Sequence, residues 1–265
     1  MATIVSFHAH PDDESIATGG TLARAAAEGH RVVLVFGTRG ECGEVAEGFL
    51  ADGEPLGERR ALEVAASAEA LGAHRFEFLG YRDSGMIDEP TNDAPDCFWQ
   101  ADVEEAAERL ATILRDEQAD VLTVYDDHGG YGHPDHIQVH RVGHRAAEIA
   151  GTPHVYESTM NRDHLRRAMQ AAAADNPDYD GPDFDDPDSD FGSPESLITT
   201  TVDVTDWLDA KRASMAAHAS QIPDDSFFLA MPPEAFAMAF GHEWFIRTSP
   251  AAPGTDDWLL PTGVQ

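Results

Sequence analysis

The sequence predicts an α/β fold in which a Rossmann-like, mostly parallel sheet carries helices on both faces. Short apolar runs typical of buried strands alternate with longer segments whose apolar residues recur at helical spacing. The run 31–36, RVVLVF, is apolar after its first residue, as expected for a strand that is covered on both faces. The 265 residues suit one domain over 1–265, because no shift in composition marks a boundary.

The elements follow in order along the chain. A strand over 4–7 runs into a charged turn and then into a helix over 16–28. Gly72 suits the C-cap of the next helix, Pro134 the first turn of a later one, and Thr205-Asp206 the start of the last. The other expected strands are 31–36, 76–79, 121–125, 153–156 and 197–204, and the other expected helices are 58–71, 103–116, 134–149, 161–174 and 205–219.

One segment departs from this pattern. Residues 175–194 contain eight aspartates and four prolines and almost no apolar side chains. Such a segment cannot bury enough surface to fix itself, so we expect a mobile or loosely packed acidic insertion.

The charge balance limits the partners. With 17 basic and 49 acidic residues, the formal net charge is −32. Nucleic acids and anionic membrane surfaces bind positive patches, so we expect neither as a partner, and a small neutral or cationic molecule is easier to accommodate. Lys211 is the only lysine. This scarcity has two explanations that the sequence leaves open, GC-rich coding or adaptation to high salt.

Cysteine usage and hydropathy bear on the compartment. Cys42 and Cys97 are too few for a disulfide scaffold and lack the spacing of a thiolate metal site, so free thiols are expected. We find no signal-peptide pattern and no apolar run approaching the ~20 residues of a membrane span. We therefore expect a cytoplasmic protein, while the formation of a homo-oligomer stays open.

The stretch after the first strand carries a dense set of metal-capable side chains. His10, Asp12, Asp13 and Glu14 lie where the carboxyl end of a parallel strand is expected, which is where ligands bind in open α/β sheets. Adjacent carboxylates point in different directions, so one can join His10 on a metal while the other moves protons. A helix N-cap would explain one aspartate but not the whole cluster.

A second cluster follows the strand at 121–125. His133 and His136 are three residues apart at a helix start and can face the first cluster, with His136 the better third ligand and His133 the better group to reach substrate. His140 and His144 lie further down the helix, where a packing or solvated role is favoured. Asp135 either orients an imidazole as an outer partner or favours the helix start.

Other residues carry weaker signals. Arg60 and Asp83 either bind substrate hydroxyls or form a surface ion pair. His218 and Gln221 share a helix end and form either a polar wall or a cap. Gly19-Gly20 lacks the spacing of a dinucleotide-binding loop.

Four motifs together resemble the zinc-dependent PIG-L/LmbE-like deacetylase family. They are AHPDDE at 9–14, Arg60-x-x-Glu63, RDSGM at 82–86 and GHPDH at 132–136. The similarity extends from about 3 to 149 and is thin afterwards. Within the family, the chain looks most like the mycothiol-pathway enzymes, a deacetylase of N-acetylglucosaminyl-inositol and an amidase of mycothiol S-conjugates.

The resemblance implies an LmbE-like fold and one Zn²⁺ per chain. The implied zinc ligands are His10, Asp13 and His136, with Asp12 as general base. It further implies a place for His133 near the substrate carbonyl oxygen and an assisting role for Tyr131. The resemblance also implies that Arg60 and Asp83 bind the sugar, together with Glu41 or Glu44.

Three hypotheses follow. The favoured one is N-deacetylation of a small molecule that contains N-acetylglucosamine. The second keeps the zinc and changes the acyl group, giving a thiol-conjugate amidase. The third is a non-catalytic protein that binds a metal or a sugar.

Overall fold

The computed structural model describes residues 1–175, 191–250 and 256–260. Its strands are β1 (Thr3–His8), β2 (Arg31–Phe36), β3 (Arg75–Phe78), β4 (Val121–Tyr125), β5 (His154–Thr159), β6 (Thr200–Asp203) and β7 (His242–Ser249). Its α-helices are α1 (Asp13–Ala17), α2 (Gly19–Ala27), α3 (Leu56–Leu71), α4 (Val103–Asp116), α5 (Gly129–Gly132), α6 (Pro134–Ala150), α7 (Arg162–Asp175), α8 (Leu208–Ala217) and α9 (Pro233–Phe240).

The strands form one sheet in the order β3-β2-β1-β4-β5-β7-β6. The first five strands in this order are parallel, and β7 runs antiparallel to both of its neighbours. The predicted mostly parallel α/β fold is therefore confirmed. Because β1 pairs with β2 on one side and with β4 on the other, the strand order reverses between β1 and β4, and that is the point where open α/β sheets bind ligands.

Two apolar cores cover the two faces of the sheet. Alternation along β1 sends Val5 and Phe7 into the core beneath α4 and α6, and Ile4 into the core beneath α2 and α3. Every residue of β1 is buried. The central strand is thus fixed on both faces, and its C-terminal end provides a rigid base for the loop that follows.

Two expectations about elements need correction. The helix expected at 16–28 is two helices, α1 and α2, separated at Thr18, whose backbone leaves the helical region at φ −135° and ψ 2°. The expected start of the last long helix at Thr205-Asp206 is a 3₁₀ turn, and the side chain of Asp203 accepts from the Thr205 N–H instead. The antiparallel strand β7 was not predicted, because the residues around Trp244 give no clear alternation.

Most of the acidic segment, residues 176–190, lies outside the described residues. Its last part is described and is packed: the Gly192 N–H donates to Gly130 O at 2.7 Å, and the Ser193 N–H donates to Met160 O at 2.8 Å. This end of the segment therefore contacts the loop that follows β4.

Cys42 and Cys97 are both unpaired, as expected. Across the described ranges we find no helix with the length and apolarity that crossing a bilayer requires.

Candidate active site

The two clusters singled out in the sequence meet over the C-terminal ends of β1 and β4. The turn after β1 and the first residue of α1 bring His10, Asp12 and Asp13, and α5 with the start of α6 brings the other residues. The residues of the assembled site, apart from the half-exposed Tyr131, are buried or nearly so; the set is His10, Asp12, Asp13, Tyr131, His133, Asp135 and His136.

One carboxylate oxygen lies between two imidazoles. Asp13 Oδ2 is 3.5 Å from His10 Nδ1 and 3.4 Å from His136 Nε2, and it also accepts from the His10 backbone N–H at 2.9 Å. We call His10, Asp13 and His136 the His10 cluster. Two imidazole nitrogens and one carboxylate oxygen that leave further positions open are a donor set suited to a catalytic Zn²⁺.

Each imidazole of the His10 cluster is oriented by a hydrogen-bond partner at the ring nitrogen that does not face Asp13. His10 Nε2 lies 3.3 Å from Asp135 Oδ2, and Asp135 is itself held by the backbone and side chain of Ser84. The Nδ1–H of His136 donates to Gly129 O at 3.1 Å, and its buried Nε2 makes no hydrogen bond within the described residues. In these tautomers the remaining lone pairs converge on the Asp13 oxygen, which is the environment that a cation fits.

The charges around the His10 cluster also favour a cation. Burial by itself disfavours charge on both His10 and Asp13. Even so, Asp83 and Asp13 raise the pKa of His10 well above its usual value, and His136 and His10 hold the pKa of Asp13 well below its own. The carboxylates around His10 thus favour a positive charge at this point.

Two further groups at the site have metal-binding potential. One nitrogen from each of His10, His133 and His136 lies within 4.8 Å of the others, and the same holds for ligand atoms of His10, Asp83 and Asp135. His133 Nδ1 accepts from the Asp135 N–H at 3.1 Å, so only its Nε2 remains available. An imidazole trio is therefore an alternative to the set that includes Asp13.

Asp12 faces different partners from its neighbour Asp13. Its backbone has φ 96°, a left-handed conformation that is rare for a residue with a side chain. Its N–H donates to Glu14 Oε2 at 2.9 Å, and its Oδ2 lies 3.3 Å from the guanidinium of Arg60. Burial raises the pKa of Asp12 to about 6, although the charge of Arg60 lowers it.

His133 and Tyr131 border the same space. The His133 ring is 4.6 Å from that of His10, and burial, assisted by His10 and His136, lowers its pKa to about 3. A neutral His133 that accepts through Nδ1 carries its proton on Nε2 and can donate from there. Tyr131 is 45% exposed, and burial of its hydroxyl raises its pKa, so that group also stays a donor.

The three residues expected at the sugar have unequal positions. Arg60 is 3% exposed and donates to the carbonyls of Gly40 and Pro11, so a surface ion pair is ruled out for it. Asp83 is 4% exposed and accepts from the backbone N–H of Gly85 at 2.8 Å. Glu41 lies at the exposed rim, where its carboxylate accepts from the Asp83 N–H at 3.1 Å, and Glu44, the alternative to it, is exposed as well.

A buried hydrogen-bond network behind Asp12 could not be predicted from the local sequence. Glu14 Oε1 accepts from His218 Nε2 at 2.6 Å and from the Ser67 hydroxyl, and both Glu14 and His218 have zero exposure. The Ser214 hydroxyl bridges Ser67 at 2.7 Å. His218 is therefore neither a wall nor a simple cap, because it fixes the carboxylate that holds the Asp12 backbone. Its position 204 residues away gave no local signal.

Comparison with known proteins identifies the family. The sequence model of PIG-L, described as GlcNAc-PI de-N-acetylase, matches residues 5–147. A 1D-myo-inositol 2-acetamido-2-deoxy-alpha-D-glucopyranoside deacetylase of Acidothermus cellulolyticus is 42% identical over 98% of this chain and 94% of its own length. The protein of the same name from Nocardiopsis dassonvillei is 47% identical over 81% of this chain and 83% of its own length.

Solved structures share the fold at lower identity. The N,N'-diacetylchitobiose deacetylase of Pyrococcus horikoshii has a TM-score of 0.59 at 24% identity, over 92% of this chain and 83% of that one. GalB, a 4-carboxy-2-hydroxymuconate hydratase of Pseudomonas putida, has a TM-score of 0.59 at 20% identity, over 97% and 100%. Because one is a deacetylase and the other a hydratase, the fold alone does not decide the reaction. The sequence matches do decide the family, and this chain belongs to the PIG-L/LmbE-like deacetylases.

Proposed function

We propose that this protein is a zinc-dependent N-deacetylase of a small molecule that contains N-acetylglucosamine. One observation carries the proposal: the Asp12 carboxylate pairs with Arg60, whereas the carboxylate of the adjacent Asp13, with which it interacts electrostatically, lies between the two imidazoles of the His10 cluster. A metal centre with an adjacent unligated carboxylate is the minimum that hydrolysis of an amide by activated water requires.

The donor set supports zinc as the cofactor. In the proposed arrangement His10, Asp13 and His136 hold one Zn²⁺, with Asp135 and Gly129 O orienting the two imidazoles from behind. When bound, Zn²⁺ polarises an amide carbonyl and lowers the pKa of water to about 7.

Asp12 is proposed to move the protons. With a pKa of about 6 it is mostly deprotonated at neutral pH, so it can take a proton from the attacking water. The same group can then return that proton to the leaving amine. The left-handed backbone of Asp12, held by Glu14 and Arg60, fixes where its carboxylate acts.

His133 and Tyr131 are proposed to hold the carbonyl oxygen. Negative charge develops on this oxygen as the amide carbon becomes tetrahedral, and donors fixed in advance stabilise it. The neutral His133 offers an Nε2–H and Tyr131 a hydroxyl, and their rings are 6.3 Å apart.

The substrate class comes from the relatives. The curated proteins cited above are named as deacetylases of 1D-myo-inositol 2-acetamido-2-deoxy-alpha-D-glucopyranoside. We propose that this chain acts on the same amino-sugar conjugate, in the cytoplasm, with Glu41 at the rim contacting sugar hydroxyls. Arg60 and Asp83 are proposed to act on the sugar only if substrate displaces their present internal contacts.

The test is amine release from a small panel of substrates. We expect turnover of the N-acetylglucosaminyl-inositol, weaker turnover of free N-acetylglucosamine, and none of a cysteine-amide conjugate. Preferred cleavage of the conjugate would make the protein a thiol-conjugate amidase instead. Binding of the sugar without amine release by the zinc-loaded protein would support the non-catalytic hypothesis and overturn the proposal.

A further inference from the structure

A second group of metal-capable side chains lies along α6, outside the candidate active site. One nitrogen from each of His140 and His144 and one carboxylate oxygen of Glu157 lie within 4.8 Å of one another. We call these three residues the His140 cluster. His140 and His144 are one helical turn apart on α6, and Glu157 reaches them from β5.

The His140 cluster repeats the arrangement of the His10 cluster. Glu157 Oε1 lies 3.4 Å from His140 Nδ1 and 2.8 Å from His144 Nε2, so one carboxylate oxygen is again shared by two imidazoles. Ligands about 2.0–2.1 Å from a tetrahedral zinc are about 3.3 Å apart, and Glu157 Oε1 is 2.8 Å from His144 Nε2. Little movement of these two atoms would be needed to admit an ion, and His140 would join them through Nε2, because its Nδ1 faces a backbone carbonyl.

The His140 ring is also oriented in the manner of a metal ligand. Its Nδ1 lies 3.1 Å from Tyr125 O, just as the Nδ1 of His136 lies 3.1 Å from Gly129 O. Imidazoles that bind metals commonly donate their other nitrogen to a carbonyl in this way.

Access and charge favour a cation at this place. The side chains of His140 and His144 are 21% and 30% exposed, so an ion can enter from solvent and water can complete its coordination. Asp127 adds a further carboxylate close enough to interact electrostatically with His140. Imidazole together with carboxylate selects borderline transition metals over Mg²⁺ and Ca²⁺, which prefer oxygen donors alone.

We propose that His140, His144 and Glu157 form a second binding site for a borderline divalent cation such as Zn²⁺, which joins α6 to β5. Metal binding at this second site does not require the deacetylase function proposed above. The carboxylate near the His140 cluster, that of Asp127, is exposed and pairs with His128 rather than with an arginine, so we expect the site to bind metal without hydrolysing amides.

The test is a calorimetric titration of the full-length, metal-free protein with Zn²⁺, followed by metal analysis after dialysis. We expect two equivalents in the wild-type protein. The double variant His140→Gln/His144→Gln should hold one and keep its amide turnover. His136→Gln should also hold one, but without turnover. The matched control His242→Gln removes an exposed histidine on β7 that belongs to neither cluster and should hold two.

A second measurement guards against weak surface binding. Zn²⁺ should raise the Tm of His136→Gln, and adding Glu157→Gln to that variant should abolish the rise, because ligands that bind only the folded state stabilise it. Mg²⁺ should have no effect on either. A wild-type protein whose single equivalent disappears with His136→Gln, or a double variant that still holds two, would overturn the second site. One equivalent retained in both the wild type and His136→Gln would instead support it and contradict the proposed active-site metal.

Discussion

The His10 cluster and the His140 cluster offer a cation the same donors, two imidazoles and a carboxylate, and both draw on α6. They differ in their surroundings. Asp13 and His136 lie over the switch point of the sheet, and an unligated carboxylate, a neutral imidazole and a tyrosine border the same space. Glu157 lies on β5 within the sheet, and the side chains of its partners His140 and His144 are only 21% and 30% exposed.

On the proposed assignments, the donor set decides whether a metal binds, and the neighbouring side chains decide whether a reaction follows. A carboxylate beside the ion must be kept from becoming a ligand. Asp12 is kept apart by its left-handed backbone and by Arg60. Holding a residue in such a conformation costs about 1–3 kcal/mol, which the buried contacts of Glu14 must offset.

The largest effect is expected from Asp12→Asn. This substitution removes the proposed base and none of the proposed ligands, so kcat/KM should fall by about 10²–10⁴-fold while the zinc content is unchanged. Amine release and metal analysis on the same sample measure both quantities. Turnover that survives would remove Asp12 from the mechanism, and loss of metal would mean that the two aspartates had been exchanged.

His133→Gln should lower kcat by about 10²–10³-fold, the usual cost of losing one donor to a developing oxyanion. KM and metal content should change little, since the Nε2–H acts in the transition state. Metal analysis again decides between two roles. If the metal is lost with His133, then His133 is a metal ligand, as in the trio with His10 and His136, and not a donor to the oxyanion.

Asp135→Asn should weaken zinc binding by about 10–100-fold, because Asp135 supports His10 from behind. Competition with a chelator of known affinity gives the dissociation constant. Ser84→Ala removes the hydroxyl that donates to Asp135 and accepts from the Trp99 N–H, but it keeps Asp135 and the backbone donor of residue 84, so zinc affinity should fall less. Equal zinc affinity in Asp135→Asn and the wild type would show that Asp135 merely favours the helix start.

Arg60→Gln is expected to change the pH profile more than the maximal rate. A base works when deprotonated, so kcat/KM should fall as pH drops through the pKa of Asp12. Burial places that pKa at about 6, and Arg60 lowers it. Without the charge of Arg60 the acid limb should move to higher pH, so the loss is larger at low pH than at high pH.

The control for this shift is Arg59→Gln. Arg59 precedes Arg60 on the same helix but pairs with Glu54 at the surface, so its loss should leave the profile unchanged. A bound cation would shift the acid limb of every variant to lower pH by the same amount. The quantity to compare is therefore the difference in the pH of the acid limb between variants. An unmoved limb in Arg60→Gln would mean that Arg60 does not tune Asp12.

Much of the fold and the assembled site could be predicted from local pattern. The bounds expected for β2, α4 and β4 coincide with those observed, because each is one apolar run or one helical periodicity. The two motif loops were expected to meet because they follow parallel strands, and β1 and β4 are direct neighbours. Local sequence is therefore enough to predict a site that forms at the C-terminal ends of neighbouring parallel strands.

The parts that could not be predicted depend on distant pairs. Lys211, the only lysine, is 1% exposed and donates to Glu243 at 2.6 Å, and Glu243 accepts from the Gly20 N–H at the start of α2. The hydrogen bond between His218 and Glu14 likewise joins two buried residues that are far apart in the sequence. No local pattern predicts that these charged residues form buried pairs, yet Lys211 and His218 link α8 to α1 through Ile16 O and Glu14.

The central claim, one catalytic metal at the His10 cluster, is tested most directly by reconstitution. Zn²⁺ is added stepwise to the metal-free His140→Gln/His144→Gln protein, and deacetylation of the N-acetylglucosaminyl-inositol is measured at each step. The account predicts no turnover without metal and a linear rise that stops at one equivalent. Full turnover in the metal-free protein, or none at any zinc concentration, would contradict it.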